Sequence, residues 1–397
     1  MTKLAIDGGT PVRTRPFPEW PVFGDAERKL LLEVLDSGKW GGTGRIKLPE
    51  LEKRFAELHD ARHAIPCVNG TIAITVALMA AGVQPGDEVI VPPYTFFATA
   101  SAPLLFGAIP VFADVEKDTL LIDPAKAEAL ITPRTKAIIP VHIAGAPADM
   151  TAVKAVAARH GLRVIEDAAQ AAGARWEGRG VGAIGDLGTF SFQSSKNLNA
   201  GEGGMILTND DELADRAWSL TNAGRIRGGE WYQHEVVGWN LRMTEFQAAV
   251  LLGQLTRLEE QMARRERNAR LLAELLGGIP GVRVPRYDAR IDRHAWHLFL
   301  FMIDADIPGR PSKKEICRML NAEGIPAHEG YVPLNRNRAI LEDIRKWTGE
   351  ARVYECPVAE KACGEEAFWL TQNVLLGDES DMHDIAEAVR KVVTSFA

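Results

Sequence analysis

Between about residues 50 and 210 the chain repeats one pattern, a short apolar run rich in β-branched residues followed by a segment of helical spacing. DEVIVPP (87–93), IPVFADV (109–115), KAIIPVH (136–142) and LRVIEDAA (162–169) read as buried strands, with PAKAEALI and MTAVKAVAARHG as helices between some of them. Continuously apolar strands need cover on both faces, and helical crossovers supply it when neighbouring strands run parallel. The pattern predicts an α/β fold with a large, mostly parallel sheet flanked by helices. Such sheets gather their chemistry at the carboxyl ends of the strands. Attention therefore falls on the residues just beyond the runs: Asn69, Gly70, Tyr94, Phe96, His142, Asp167, Gln170 and Lys196.

A chain of 397 residues exceeds what one core usually holds, so a smaller second domain is expected. The stretch from Thr244 to about Leu276 has helical spacing throughout and predicts one long helix joining the two. After it, HAWHLFLFMID reads as a strand and SKKEICRMLNAEG as a helix capped by Ser312, with Glu315 three residues on, which makes the C-terminal unit α+β. The expected division is an N-terminal segment 1–25, a large domain 26–260 and a small domain 261–397. With 46% apolar and 25% charged residues the composition is ordinary globular. A formal charge of −7 without a dense basic block argues against nucleic acid. Cys67, Cys317, Cys356 and Cys363 are too scattered for a metal site or a disulfide framework. The opening MTKLAIDGGTPVRTRP lacks the apolar core of a signal peptide, and no apolar run has membrane-spanning length. A cytoplasmic protein is the expectation.

Three stretches carry chemistry. In CVNGTIAITVALMAAG (67–82), Gly70, Thr71 and Ile72 would place free N–H groups at a helix N-terminus, an anion cradle, although Thr71 could equally be a plain cap. In VIEDAAQAAGA (164–174), Glu166 and Asp167 leave a buried strand and must be paired; a cap or a cationic heteroaromatic nitrogen would each satisfy one. In TFSFQSSKNLNAGEGG (189–204), Lys196 is either a solvated loop residue or an amine the loop exists to present. VGAIGDLG and GGTGR match neither a dinucleotide fingerprint nor a P-loop.

Taken in order, NGT, PPYTFFAT, EDAAQ, SFQSSK with NAGEGG, and GWNLRMTEFQAA resemble the DegT/StrS family of pyridoxal-phosphate enzymes of fold type I. IDGGTPVR, GKWGGTG, PVHIAGAPADM, YVPLNRN and CPVAEKA extend the likeness along nearly the whole chain. The resemblance implies that Lys196 forms the internal aldimine, that Asp167 pairs with the pyridine nitrogen, that Phe96 stacks on the ring and that Gln170 lies near its phenolic oxygen. It implies a phosphate site of Gly70, Thr71 and Ser191, with Asn240 supplied by a second copy in a homodimer. The implied activity is transfer of an amino group from glutamate or glutamine to a ketone, in ping-pong half-reactions. Gln193, where many nucleotide-sugar members carry histidine, and EEAFWLTQNVLLG resemble members acting on cyclitol ketones or making aminohydroxybenzoate. An inosose-like ketone is thus the first expectation. A nucleotide-linked keto sugar, an aminohydroxybenzoate-forming or dehydratase reaction, and a non-catalytic homologue are the alternatives. His142 and Tyr331 are the candidate substrate contacts, with Arg225, Arg227 and His234 as further wall residues in a mobile loop, 225–237, over the site.

Overall fold

The apolar runs become neighbours in one seven-stranded sheet of the computed structural model, which describes residues 3–42 and 44–396. Met1 and Thr2 of the opening stretch, and Thr43 of GKWGGTG, lie outside the described residues. The strands are β1 (His63–Cys67), β2 (Glu88–Val91), β3 (Ile109–Phe112), β4 (Thr135–Ile138), β5 (Arg163–Asp167), β6 (Leu187–Ser191) and β7 (Gly204–Thr208), ordered β1-β7-β6-β5-β4-β2-β3. The pairs from β3 across to β6 are parallel. β7 runs against both β6 and β1. Its reversal follows from the short connection after Ser191, which contains no helix and so cannot cross over to a parallel neighbour. SFQSSKNLNAGEGG is therefore the turn between two adjacent antiparallel strands, held at the carboxyl edge of the sheet.

The helix Gly70–Ala80, here α1, lies against the sheet with eight buried residues, and its alanines let it pack closely. Its cap is Asn69 rather than Thr71: Asn69 Oδ1 accepts from the Ile72 N–H at 2.9 Å, a contact worth about 1 kcal/mol. The Thr71 side chain is thereby released from capping.

The long helix expected over 244–276 is two helices, Glu245–Leu255 (α2) and Leu258–Gly277 (α3). Arg257 leaves helical geometry at the break, and its guanidinium pairs with the buried Glu27 carboxylate on the helix Asp25–Ser37. The apolar spacing continues through the break, so the sequence pattern did not reveal it. Beyond α3, Val282–Arg283 (β8), Leu298–Ile303 (β9) and Ala367–Thr371 (β10) form a second sheet, backed by the helices Lys313–Ala322 and Glu379–Thr394. Ser312 Oγ accepts from the Glu315 N–H at 3.3 Å, as the spacing predicts. Leu4 and Ile6 pack on this second core, and Glu323 accepts from the N–H groups of Ala5 and Val12. The second sheet places β10 over the carboxyl edge of the first, and a cavity lies between them.

Candidate active site

The cavity has a volume of about 740 Å³ and is walled by strand ends. At one end β1 leads into α1, whose first N–H groups have no partner within the helix. Asn69 takes that of Ile72, leaving those of Gly70 and Thr71 beside the Thr71 and Ser191 hydroxyls, all at the cavity wall. Two backbone donors, two hydroxyls and the positive end of a helix dipole make an anion site. Gly70 is required by the close passage of β6: a Cβ there would stand 2.7 Å from the Ser191 Cβ. Gly70→Ala is expected to destabilise the fold by about 1–3 kcal/mol in urea unfolding and to weaken anion binding at this end.

Asp167 ends β5, in register with Thr189 of β6. One carboxylate oxygen accepts from the Thr99 hydroxyl at 2.7 Å and the other from the Ala169 N–H at 3.2 Å. The residue is buried, with one face on the cavity. Lys196 reaches the same cavity from the β6–β7 turn. Its backbone N–H donates to Gln193 O at 2.9 Å, Trp20 Nε1 holds Ser194 O at 3.0 Å, and Asn197 Nδ2 donates to Ala295 O at 2.6 Å. Gly204 begins β7 because a Cβ would lie 2.4 Å from Asn69 O, and Gly203 has a φ of 152°. The glycines thus let β7 start directly beneath the anion site. Burial pulls the Lys196 pKa down to about 8 against the opposing pull of the Asp167 charge. An amine with that pKa is substantially neutral at mildly alkaline pH, when it is a competent nucleophile.

Residues 22–390 match the DegT/DnrJ/EryC1/StrS aminotransferase family. This chain belongs to that family. Similar proteins include the L-glutamine:2-deoxy-scyllo-inosose aminotransferase of Micromonospora echinospora, 41% identical over 99% of this chain and 98% of that protein. The 3-amino-5-hydroxybenzoate synthase of Amycolatopsis mediterranei is 39% identical over 95% of this chain and 97% of its own length. The crystal structure of 3-amino-5-hydroxybenzoic acid synthase superposes with a TM-score of 0.88 at 36% identity, covering 96% of this chain and all of that one. As a DegT/StrS-type enzyme the chain is a pyridoxal-phosphate-dependent transaminase acting on ketones of sugars or cyclitols. The anion site, the buried carboxylate and the low-pKa amine around one cavity fit that cofactor.

Of the residues singled out in the sequence, Gly70, Thr71, Phe96, Asp167, Gln170, Ser191, Lys196 and Tyr331 line the cavity together. Phe96 is 60% exposed on its open side. Asn240 lies outside this cavity, exposed, in an isolated bridge with Asn222. His142 departs from the expectation. It is fully buried, with Nδ1 accepting from the Ala148 N–H at 3.0 Å and Nε2 facing Glu166 at 2.9 Å, so its ring is committed behind the strand end and does not line the cavity. Burial acts to raise the Glu166 pKa, but His142 and the N–H groups of Gly185 and Gly182 outweigh it and hold the carboxylate below its ordinary value. Of the two acids at the end of β5, Glu166 is therefore the structural one.

Arg225, Arg227 and His234 are also away from this cavity; Arg225 lines a separate cleft with Trp231 and Arg242, and its backbone bridges to that of His234. Sequence reasoning missed His297, His328, Trp369 and Thr371, the wall supplied by the second sheet and its approach, and Thr99, which holds Asp167. Only the histidines bracketing HAWH offered a signal. Nothing in their spacing tied them to residues so far back in the chain.

Proposed function

We propose that this transaminase aminates a free cyclitol ketone of the inosose class, with glutamine or glutamate as donor. The observation that carries this is the charge of the wall. Among the described residues lining the cavity, Lys196 is the one lysine or arginine, and the acids are Asp167 and Glu202. Burial keeps the His297 pKa well below its usual value, with the charges of Lys196 and Arg265 adding to the effect, and burial also lowers that of His328. Both therefore act as neutral hydrogen-bonding groups near pH 7. With Lys196 committed to the cofactor, a diphosphate would find no other lysine or arginine among the described lining residues, whereas an uncharged ring rich in hydroxyls is matched by Gln193, Tyr331, His328 and Trp369.

Gly70, Thr71 and Ser191 would hold the phosphate of the cofactor, Asp167 its ring nitrogen, Phe96 one face of the ring, and Lys196 its aldehyde. Bound there, pyridoxal phosphate supplies the electron sink and carries the amino group from donor to acceptor. Lys196 Nζ would take the proton from the α-carbon of the donor and, in the second half-reaction, deliver one to the acceptor carbon that becomes aminated, a role its lowered pKa suits. Asp167, fixed by Thr99 and Ala169, would keep a proton on the ring nitrogen of the bound cofactor. The working unit in this reading is a homodimer in which Asn240 of a second copy completes the phosphate site. The exposed Trp231, Tyr232, Val237 and Trp239 on the segment leading to Asn240 support a covered surface there.

The test is amination by the cofactor-loaded protein with L-glutamine, product masses being read for 2-deoxy-scyllo-inosose and for nucleotide-linked 3- and 4-keto sugars. The expected product is the aminocyclitol. Turnover of a nucleotide-linked sugar without any of the inosose would overturn the cyclitol assignment, and an aromatic amine from an aminodehydroshikimate-type substrate would replace it with aminohydroxybenzoate formation.

A further inference from the structure

The amide of Gln170 is held at both ends. The Ala144 N–H donates to Oε1 at 2.7 Å, and Nε2 donates to the Tyr331 hydroxyl at 2.6 Å. A backbone N–H can only donate, so the amide oxygen must face Ala144 and the nitrogen must face Tyr331. The turn that supplies this N–H is itself pinned. Ala144 has a φ of 59°, its carbonyl accepts from the His297 N–H at 2.8 Å, and the next carbonyl, that of Gly145, accepts from Ala295 at 2.9 Å. Gly145 cannot carry a side chain, since a Cβ would stand 2.8 Å from the Trp296 nitrogen. The amide therefore has one orientation.

Because Tyr331 Oη already accepts from Gln170, its own proton must point elsewhere. Tyr331 lines the cavity, its ring set edge-on to those of Tyr94 and Trp369 at centroid distances of 5.3 and 4.4 Å. Burial raises its pKa above that of an ordinary tyrosine, the Gln170 bond working against this and the Asp167 charge with it, so the phenol stays protonated. A phenol held in this way keeps its proton free for an acceptor in the cavity.

We propose that Tyr331 is a specificity-determining donor to an oxygen on the ring of the acceptor, and that Gln170 is the positioning residue that fixes its polarity. The proposal rests on the cyclitol reading above and adds the direction of one hydrogen bond and the residue that sets it. An oxygen of the cofactor has the same acceptor chemistry, and the arms of the test separate the two.

Three cofactor-loaded variants decide it: Tyr331→Phe, Gln170→Glu and the pair. A carboxylate at position 170 accepts from both the Ala144 N–H and the Tyr331 O–H, drawing the phenolic proton away from the cavity while the ring stays in place. Calorimetry with scyllo-inositol, an unreactive fully hydroxylated ring, should show each single variant binding about tenfold more weakly than the parent, and the pair no weaker than either. The KM for the inosose should rise in parallel, and the affinity of the cofactor-free Tyr331→Phe protein for pyridoxal phosphate should stay within about twofold of the parent. Unchanged polyol binding in Gln170→Glu, beside a loss in Tyr331→Phe, would overturn the positioning role. A large loss of cofactor affinity in Tyr331→Phe would overturn the ring-oxygen assignment in favour of the cofactor. A parent protein that ignores scyllo-inositol and aminates only nucleotide-linked sugars overturns the cyclitol reading instead.

Discussion

Lys196→Ala is expected to lower transaminase turnover by about 10⁴-fold or more while leaving the fold intact. The size of the effect follows from the two roles proposed for the one amine, attachment of the cofactor and transfer of the α-proton. Lys196 is the one lysine among the described lining residues. The fold should survive because the lysine is held in a disfavoured state. Its pKa is lowered to about 8 by burial, so at neutral pH the folded protein carries an ammonium that the unfolded chain accommodates better. By linkage, the penalty on folding is full below about pH 8 and fades as pH rises from there toward 10.5, the ordinary lysine value. Removing the amine relieves it. Thermal unfolding of the cofactor-free variant should therefore match or exceed the parent at pH 7. The same sign governs capture of the cofactor, which should rise about tenfold per pH unit below about 8 and level off above it.

Asp167→Asn is the second large effect, a loss of about 10²–10³-fold in kcat with a modest change in KM. The substitution is nearly isosteric, and its contacts can be kept. The amide oxygen can still accept from Ala169, while the amide nitrogen can donate to Thr99 Oγ1, which then donates to Thr95 Oγ1, now 3.0 Å away. What is lost is the charge that would keep the facing ring nitrogen protonated. The Asp167 charge also raises the Lys196 pKa, so the variant should move the cofactor-capture profile to lower pH. That shift is the readout that separates an electrostatic role from a packing one, because a repacked site would lower kcat without moving the profile in that direction.

The end of the cavity around Gly70, Asp167 and Ser191 was legible because its elements are local. A buried strand that ends in Asp167 or Ser191 fixes where those side chains emerge, whatever the rest of the chain does. The reversal of β7 was not legible, since β7 is as apolar as its parallel neighbours and only the connection length distinguishes it. The break at Arg257 was hidden because the partner that stabilises it, Glu27, lies far back in the sequence. His142 misled for a related reason. It lies just beyond a strand, near the same sheet edge as the residues that line the cavity, but a turn folds back so that Ala148 and Glu166 claim both ring nitrogens. The wall of His328, Tyr331 and Trp369 depends on how the second sheet meets the first, which no local pattern encodes.

The central claim is that Lys196 is the residue to which the cofactor is attached. The direct measurement is borohydride reduction of the pyridoxal-phosphate-loaded protein, followed by peptide mass spectrometry. A single pyridoxyl group on the peptide carrying Lys196, absent from Lys196→Ala, is the predicted result. The informative competitor is Lys313, whose pKa burial also lowers to about 8 but whose Nζ is tied to the carbonyls of Ala362 and Cys363. Label on Lys313, or on no lysine at all, would contradict the account.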